Sequence, residues 1–215
     1  MSPPTLHLPS PQAILEIQLS ENVSALGLQA LLGVANTLYG THEWLKFAED
    51  SAGNEPVPDL DFTPLAPALL ISRLEIGTPN LLTFLGSPEG LTFVASVLTM
   101  LGGFTTAATM AYKNLWDARK SKSDIARNAA AAAKDVAEAQ HIDVRTKLAN
   151  AELTDKLSAN AALLEKLKTA KELNSQGKIS QRAFEEKSAV PTVVAHNWIL
   201  AAPIVKSQSF VVKSV

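Results

Sequence analysis

The chain has 215 residues, 47% of them apolar, with a mean hydropathy of +0.10, no cysteine and a formal net charge of −2. That length admits one ordinary domain with an appendage or two small domains, and the missing thiols exclude a disulfide framework and cysteine chemistry. Near-neutrality hides an asymmetry: residues 1–89 carry ten acids against two bases, Lys46 and Arg73, for −8, whereas residues 90–215 carry eleven against seventeen, for +6. Such halves attract each other, and the basic one suits either an anionic partner or an acidic surface of the same oligomer.

Residues 1–11, MSPPTLHLPSP, lack a basic stretch followed by an apolar core, so they read as an extended, Pro-rich lead-in and not as a secretory signal. Residues 12–86 read as a small α/β unit. QAILEIQLS, from Gln12, alternates with period two and predicts a strand. Ser20 or Asn22 is placed to cap the helix that follows to Glu49, with Leu28, Leu31, Leu32, Ala35, Leu38 and Tyr39 on one face. Gly27, Gly33 and Gly40 inside it each cost about 1 kcal/mol relative to Ala; Gly33 and Gly40, seven apart, lie on nearly the same face, which close approach of another backbone would explain. The uncharged run from Asn22 to Thr41 makes this helix a weaker second membrane candidate.

From Asp50 to Pro67, four prolines and the acids Glu55, Asp59 and Asp61 read as a solvated loop, because the acids lack calcium-loop spacing. Ala68 to Ile76 and Leu81 to Leu85 then predict two strands about a Gly-Thr-Pro-Asn turn. The result is a β-α-β-β unit. Ser87, Pro88 and Glu89 next supply an N-cap, a first-turn proline and an acid at the positive end of a helix dipole.

Residues 87–112 form an apolar helix, uncharged from Gly90 to Tyr112. At about 1.5 Å per residue that run is long enough to span a bilayer. Ala95, Thr99, Gly103, Ala107 and Ala111 recur every four residues as a small-residue stripe suited to self-association. Tyr112 and Trp116 with Arg119 and Lys120 resemble an interfacial aromatic and basic flank. The same segment also reads as a buried core helix, because its threonines and the Gly102–Gly103 pair weaken insertion, and export of an acidic N-terminal unit without a signal would be awkward.

Residues 113–174 hold no proline or glycine and predict one long helix, with Leu153, Leu157, Leu164 and Leu167 as a coiled-coil-like seam. Asp143 with Lys147 and Glu152 with Lys156 are spaced for ion pairs on its solvated side. Residues 175–190 then close a helical hairpin. Leu164, Leu167 and Leu173 in the first helix, Gly177 and Ile179 at the turn, and Phe184 and Lys187 in the second helix resemble the short C-terminal domain family usually called SHOCT, over residues 163–188. That resemblance implies a module for oligomerisation or partner contact, common in bacterial proteins and often in membrane ones. Independently of it, Gly177 is suited to end a helix in the left-handed conformation, and so small a hairpin wants a covering surface. Residues 191–215 read as a β-type tail, in two runs from Thr192 to Leu200 and from Ser209 to Val215, with Trp198 and Phe210 as packing residues; it is predicted to form a hairpin, to extend the first sheet or to stay free.

The predicted fold class is α+β: a β-α-β-β unit, an apolar helix that is a candidate membrane span, a long helix and a short helical hairpin. His7, His42, His141 and His196 have no second ligand at metal spacing, and no phosphate loop or nucleophile elbow occurs, so neither catalytic nor metal residues nor a cofactor are expected. Basic residues alternate with acids and aromatics are scarce, which argues against nucleic acid. The expectation is a non-enzymatic, self-associating protein at a bacterial inner membrane with its C-terminal part in the cytoplasm, acting as an oligomeric scaffold or pore-like effector. The alternative is a soluble cytoplasmic adaptor that contacts a protein partner through its C-terminal helices, with the apolar helix as core.

Overall fold

A computed structural model describes residues 12–50, 69–75, 80–102, 113, 114, 117 and 132–213. Strand β1 (Gln12–Leu19) leads to helix α1 (Ala25–Asp50), then to β2 (Leu70–Glu75), β3 (Asn80–Gly86) and helix α2 (Pro88–Gly102). After these come α3 (Ala132–Ser158), α4 (Ala161–Ser175), α5 (Gln181–Ser188), α6 (Val190–Ala201), a single 3-10 turn (Ala202–Ile204) and β4 (Val205–Lys213). The fold is α+β.

The four strands form one antiparallel sheet in the order β2-β3-β1-β4. Alternation sends Ala13, Leu15, Ile17 and Leu19 of β1, and Leu82 and Phe84 of β3, to one face, where all are buried. On that face they join Leu31, Val34, Ala35 and Leu38 of α1, the apolar side of α2, Leu153 and Leu157 of α3, and Val194, Trp198 and Ile199 of α6 in one cluster. Each fully buried leucine there contributes on the order of 2 kcal/mol. Asn80 ties the sheet's end together, its side-chain amide donating to the Ser20 carbonyl at 2.6 Å.

The first half follows its local signals closely, apart from one cap. Ser24, and not Ser20 or Asn22, starts α1, its hydroxyl accepting from the Gly27 amide at 3.0 Å. Residue 20 is engaged elsewhere, since its amide donates to the Ile204 carbonyl at 2.8 Å. At Gly33 the nearest atom to an added Cβ is side-chain Nδ2 of Asn197 at 3.4 Å and no other backbone comes close; the close approach is at Gly27, where a Cβ would lie 3.0 Å from Ile204 Cγ2 and 3.1 Å from the Leu200 carbonyl oxygen. α2 begins as its sequence predicts, with the Ser87 hydroxyl accepting from the Gly90 amide at 3.1 Å.

Two expectations fail in the second half. The predicted unbroken helix over 113–174 is interrupted at Ala159–Asn160, where Asn160 adopts extended backbone (φ −64°, ψ 124°) and its side-chain oxygen accepts from the Leu163 amide at 3.0 Å. No proline or glycine marks the break; a short polar side chain that can serve the backbone as an N-cap suffices. The predicted β run from Thr192 to Leu200 is instead helix α6, with Pro191 in its first turn. Val190, Val194, Ala195, Trp198, Ile199 and Ala201 are all buried, a spacing of three and four that packs against α1 and α3 and overrides the β-propensity of its valines. The chain's last strand does extend the sheet, β4 pairing with β1 along its length.

Among the described residues no helix is long and apolar enough to cross a membrane. The described part of the candidate span is α2, which buries Leu91, Phe93, Val94, Val97, Leu98 and Leu101 inside the chain's own core. The lead-in, the acidic loop and the small residues beyond Gly102 lie outside the described residues.

Candidate functional site

Among the described residues three places stand out: the surroundings of the buried histidine, the helical hairpin and the most exposed apolar side chains. The first is a cleft of about 480 Å³ where α1, α2 and α4 meet, lined by His42, Glu89, Thr92, Phe93, Glu165 and Lys166 among others. His42 stacks on Phe93 with ring centroids 5.8 Å apart, is only 7% exposed, and has no hydrogen-bond partner at either ring nitrogen. Burial, reinforced by the charges of Lys166 and Lys46 and opposed by Glu89, pulls its pKa down from 6.5 to about 4. The ring is therefore neutral at physiological pH.

Beside it, the Tyr39 hydroxyl accepts from the Ser87 amide at 2.9 Å, and the Ser87 hydroxyl donates to a Glu43 carboxylate oxygen. Gly86 and Gly90 make room for this ring. A Cβ at Gly90 would stand 2.6 Å from Tyr39 Cε2 and one at Gly86 2.8 Å from the same atom. The pair read in sequence as a mere helix start thus also lets α2 sit down on Tyr39. Ser87 hydrogen-bonds to a carboxylate and a backbone amide, while the imidazole bonds to nothing, so serine and histidine do not form a nucleophile–base pair. Among the described residues no three His, Asp or Glu side chains gather as a metal site requires. The cleft's polar groups lock α2 onto α1.

The second place is the helical hairpin. Gly177 has φ +69°, its amide donates to the Asn174 carbonyl and the Lys178 amide to the Leu173 carbonyl, each at 2.9 Å, a Schellman end that turns the chain back. Ser180 then caps α5, accepting from the Ala183 amide at 3.1 Å. Leu173, Ile179 and Ala183, with half-buried Phe184 against them, cluster on Trp44, Leu45 and Ala48 of α1. The covering surface that so small a hairpin needs is α1 of the same chain. Lys187 is buried with Nζ 4.7 Å over the Trp44 ring, and burial lowers its pKa to about 8 against the opposing effect of Glu186.

The third place is open apolar surface. On α3, Val144 and Leu148 are 64% and 69% exposed, whereas Leu153 and Leu157 further along are buried. From Ala149 onward the helix lies on the core; in the turn before it Val144 and Leu148 are left uncovered among the described residues. Asp143–Lys147 and Glu152–Lys156 form the expected ion pairs, at 2.7 and 2.6 Å, on its solvated side. Strand β2 likewise leaves Leu70, Ile71 and Leu74 between 43% and 55% exposed.

The residues expected to self-associate are divided by the fold. Ala95 is half-buried and Thr99 exposed, and both meet β4: Gln208 Nε2 donates to the Ala95 carbonyl at 3.1 Å and to the Thr99 hydroxyl. Gly103, Ala107, Ala111, Tyr112, Trp116, Arg119 and Lys120 lie outside the described residues. Leu153 and Leu157 are consumed by the chain's own core, Leu164 is exposed and Leu167 half-buried, so these four do not make one free seam. The buried neighbour on α4 is Leu163. Sequence reasoning missed the roles of Tyr39, His42 and Trp44, for which the one available signal is their spacing along the inner side of α1. It also missed Val144 and Leu148, four apart on a helix read as solvated. Comparison with protein-family models, with curated proteins and with solved structures finds no match to this chain.

Proposed function

We propose that this protein is a non-enzymatic adaptor that binds an amphipathic helix of a protein partner on the exposed face of α3. The observation that carries this reading is the change of state along one helix: Val144 and Leu148 stand in solvent while Leu153 and Leu157 are buried. An apolar i, i+4 pair flanked by charged residues is the kind of surface a partner helix covers. The hairpin 161–188, packed on Trp44, Leu45 and Ala48 of α1, fits the reading as a brace at the end of α3, in keeping with the SHOCT-like pattern as a partner-contact module. A membrane scaffold or pore-like effector would need α2 to exchange its packed neighbours for lipid, and the burial of seven of its residues favours the adaptor.

The test is affinity capture from the protein's own cells with the wild-type chain and with Val144→Lys combined with Leu148→Lys. Both substituted positions are solvent-exposed, so the variant keeps its helical signal and melting temperature. Expected is a protein retained by the wild type and lost by the variant, with the chain in the fraction free of membranes. Identical capture by both chains, or extraction from membranes only by detergent, would refute the adaptor reading.

A further inference from the structure

A buried imidazole without partners is costly, and His42 is buried against the cleft between α1, α2 and α4. Neither ring nitrogen has a hydrogen bond to lose. A half-turn about the Cβ–Cγ bond therefore exchanges nitrogens for ring carbons while the ring stays stacked on Phe93. On the α2 wall, the Thr92 and Ser96 hydroxyls donate to the Pro88 and Phe93 carbonyls at 2.7 and 2.8 Å. The side-chain donors left to the cleft are the imidazole N–H and the Lys166 ammonium. Among the described residues Lys166 makes no ion pair, whereas Glu89 is met by Lys46 at 3.8 Å. The charges acting on the ring are Lys166 of α4, Lys46 of α1 and Glu89 of α2, two cations against one anion. Glu165 of α4 lines the cleft without being one of them, and Glu43 of α1 accepts from the Ser87 hydroxyl.

We propose that this cleft binds a small monocarboxylate with an apolar body, its carboxylate between the Lys166 ammonium and the turned His42 ring and its body against Phe93, Pro88 and Ala162. One uncompensated cation suits one negative charge, and exposed Glu165 opposes a dianion such as phosphate. The apolar walls suit a hydrocarbon or aryl body. The site uses no residue of α3, so partner capture through Val144 and Leu148 neither supports nor opposes it.

A bound carboxylate stabilises the imidazolium, so binding is coupled to proton uptake by His42. The free ring takes up its proton at about pH 4. Between that value and the higher midpoint of the complex, affinity rises as pH falls, by up to about tenfold per pH unit. The probes are benzoate and hexanoate, with inorganic phosphate beside them, titrated calorimetrically into the full chain from pH 7 to 5. Both carboxylates are expected to bind with Kd below about 10 mM, and phosphate at least about tenfold more weakly. Benzoate at saturation is expected to raise the His42 midpoint, read by nuclear magnetic resonance, by about one pH unit or more. Lys166→Met should weaken benzoate about tenfold and Glu165→Gln should strengthen it, both with the melting temperature of the wild type. His42→Phe should keep binding at pH 7 and flatten its rise towards pH 5. Failure of both carboxylates to bind by about 10 mM, or phosphate binding as tightly as either, would overturn the proposal. So would wild-type affinity in Lys166→Met, weaker binding in Glu165→Gln, an unmoved His42 midpoint at saturation, or an undiminished pH dependence in His42→Phe.

Discussion

His42 offers a perturbation whose size follows from the structure. The folded imidazole takes up its proton near pH 4 and an unfolded one near 6.5. Between those values the unfolded chain binds more protons than the folded one, so the contribution of this residue to stability is complete above pH 6.5 and is lost as pH falls towards 4. A difference of this size is worth about 3 kcal/mol, accumulating at up to about 1.4 kcal/mol per pH unit. Carboxylates protonating in the same range also change stability, so the informative quantity is wild type minus His42→Phe. Phenylalanine keeps the ring stacked on Phe93 and removes two buried nitrogens that lack partners, which by itself adds about 1–3 kcal/mol at neutral pH. Urea unfolding of both chains across pH 7 to 4 measures the difference, and nuclear magnetic resonance titration of the His42 ring reads its pKa directly. Parallel stability curves for the two chains, or a ring that titrates near 6.5 in the folded protein, would refute the reasoning.

Three further contrasts separate interior from surface. Gly90→Ala sets a Cβ 2.6 Å from the Tyr39 ring and from a Glu43 oxygen and should cost about 1–3 kcal/mol, whereas Gly102→Ala, with no atom within 4 Å, should gain up to about 1 kcal/mol; thermal melts of both variants decide. Gly177→Ala must hold φ at +69° and should cost about 1–2 kcal/mol, with amide exchange rising first in α4 and α5. Leu157→Ala, fully buried, should cost about 2–5 kcal/mol, and Leu148→Ala, 69% exposed, less than about 0.5, as chemical denaturation would show.

What was legible in the sequence was whatever a short window encodes. The alternation of β1, the Ser87–Pro88–Glu89 helix start and the Gly177 turn are each complete within ten residues or so, and each appears in the fold; the turn read between β2 and β3 lies outside the described residues. What was not legible depended on distant partners or on competing local preferences. The valines and threonine of α6 favour strand, yet its apolar residues recur at helical spacing, and burial against α1 and α3 prevails. Asn160 gave no hint of a helix end because asparagine is tolerated inside helices as well as at caps. Leu153 and Leu157 do form an apolar stripe, but a stripe specifies a face and not what covers it; α6, misread as β, is what covers this one. Tyr39 and His42 are ordinary side chains on α1 until Gly86, Gly90 and Phe93 arrive from half a chain away.

The apolar helix shows how these failures are linked. Read alone, α2 is a helix with much apolar surface to cover, and lipid, a sibling subunit, or the chain's own β unit and long helix are the covers its sequence suggests. The missing cover comes from the chain's own end. α6 returns to α1, β4 returns to β1, and Gln208 on β4 reaches the Ala95 carbonyl on the small-residue side of α2. Once the β-type tail becomes a helix and an edge strand, the described part of the span loses its need for lipid. Among the described residues the largest remaining apolar exposure then falls on α3 and β2, at Val144, Leu148, Leu70 and Ile71.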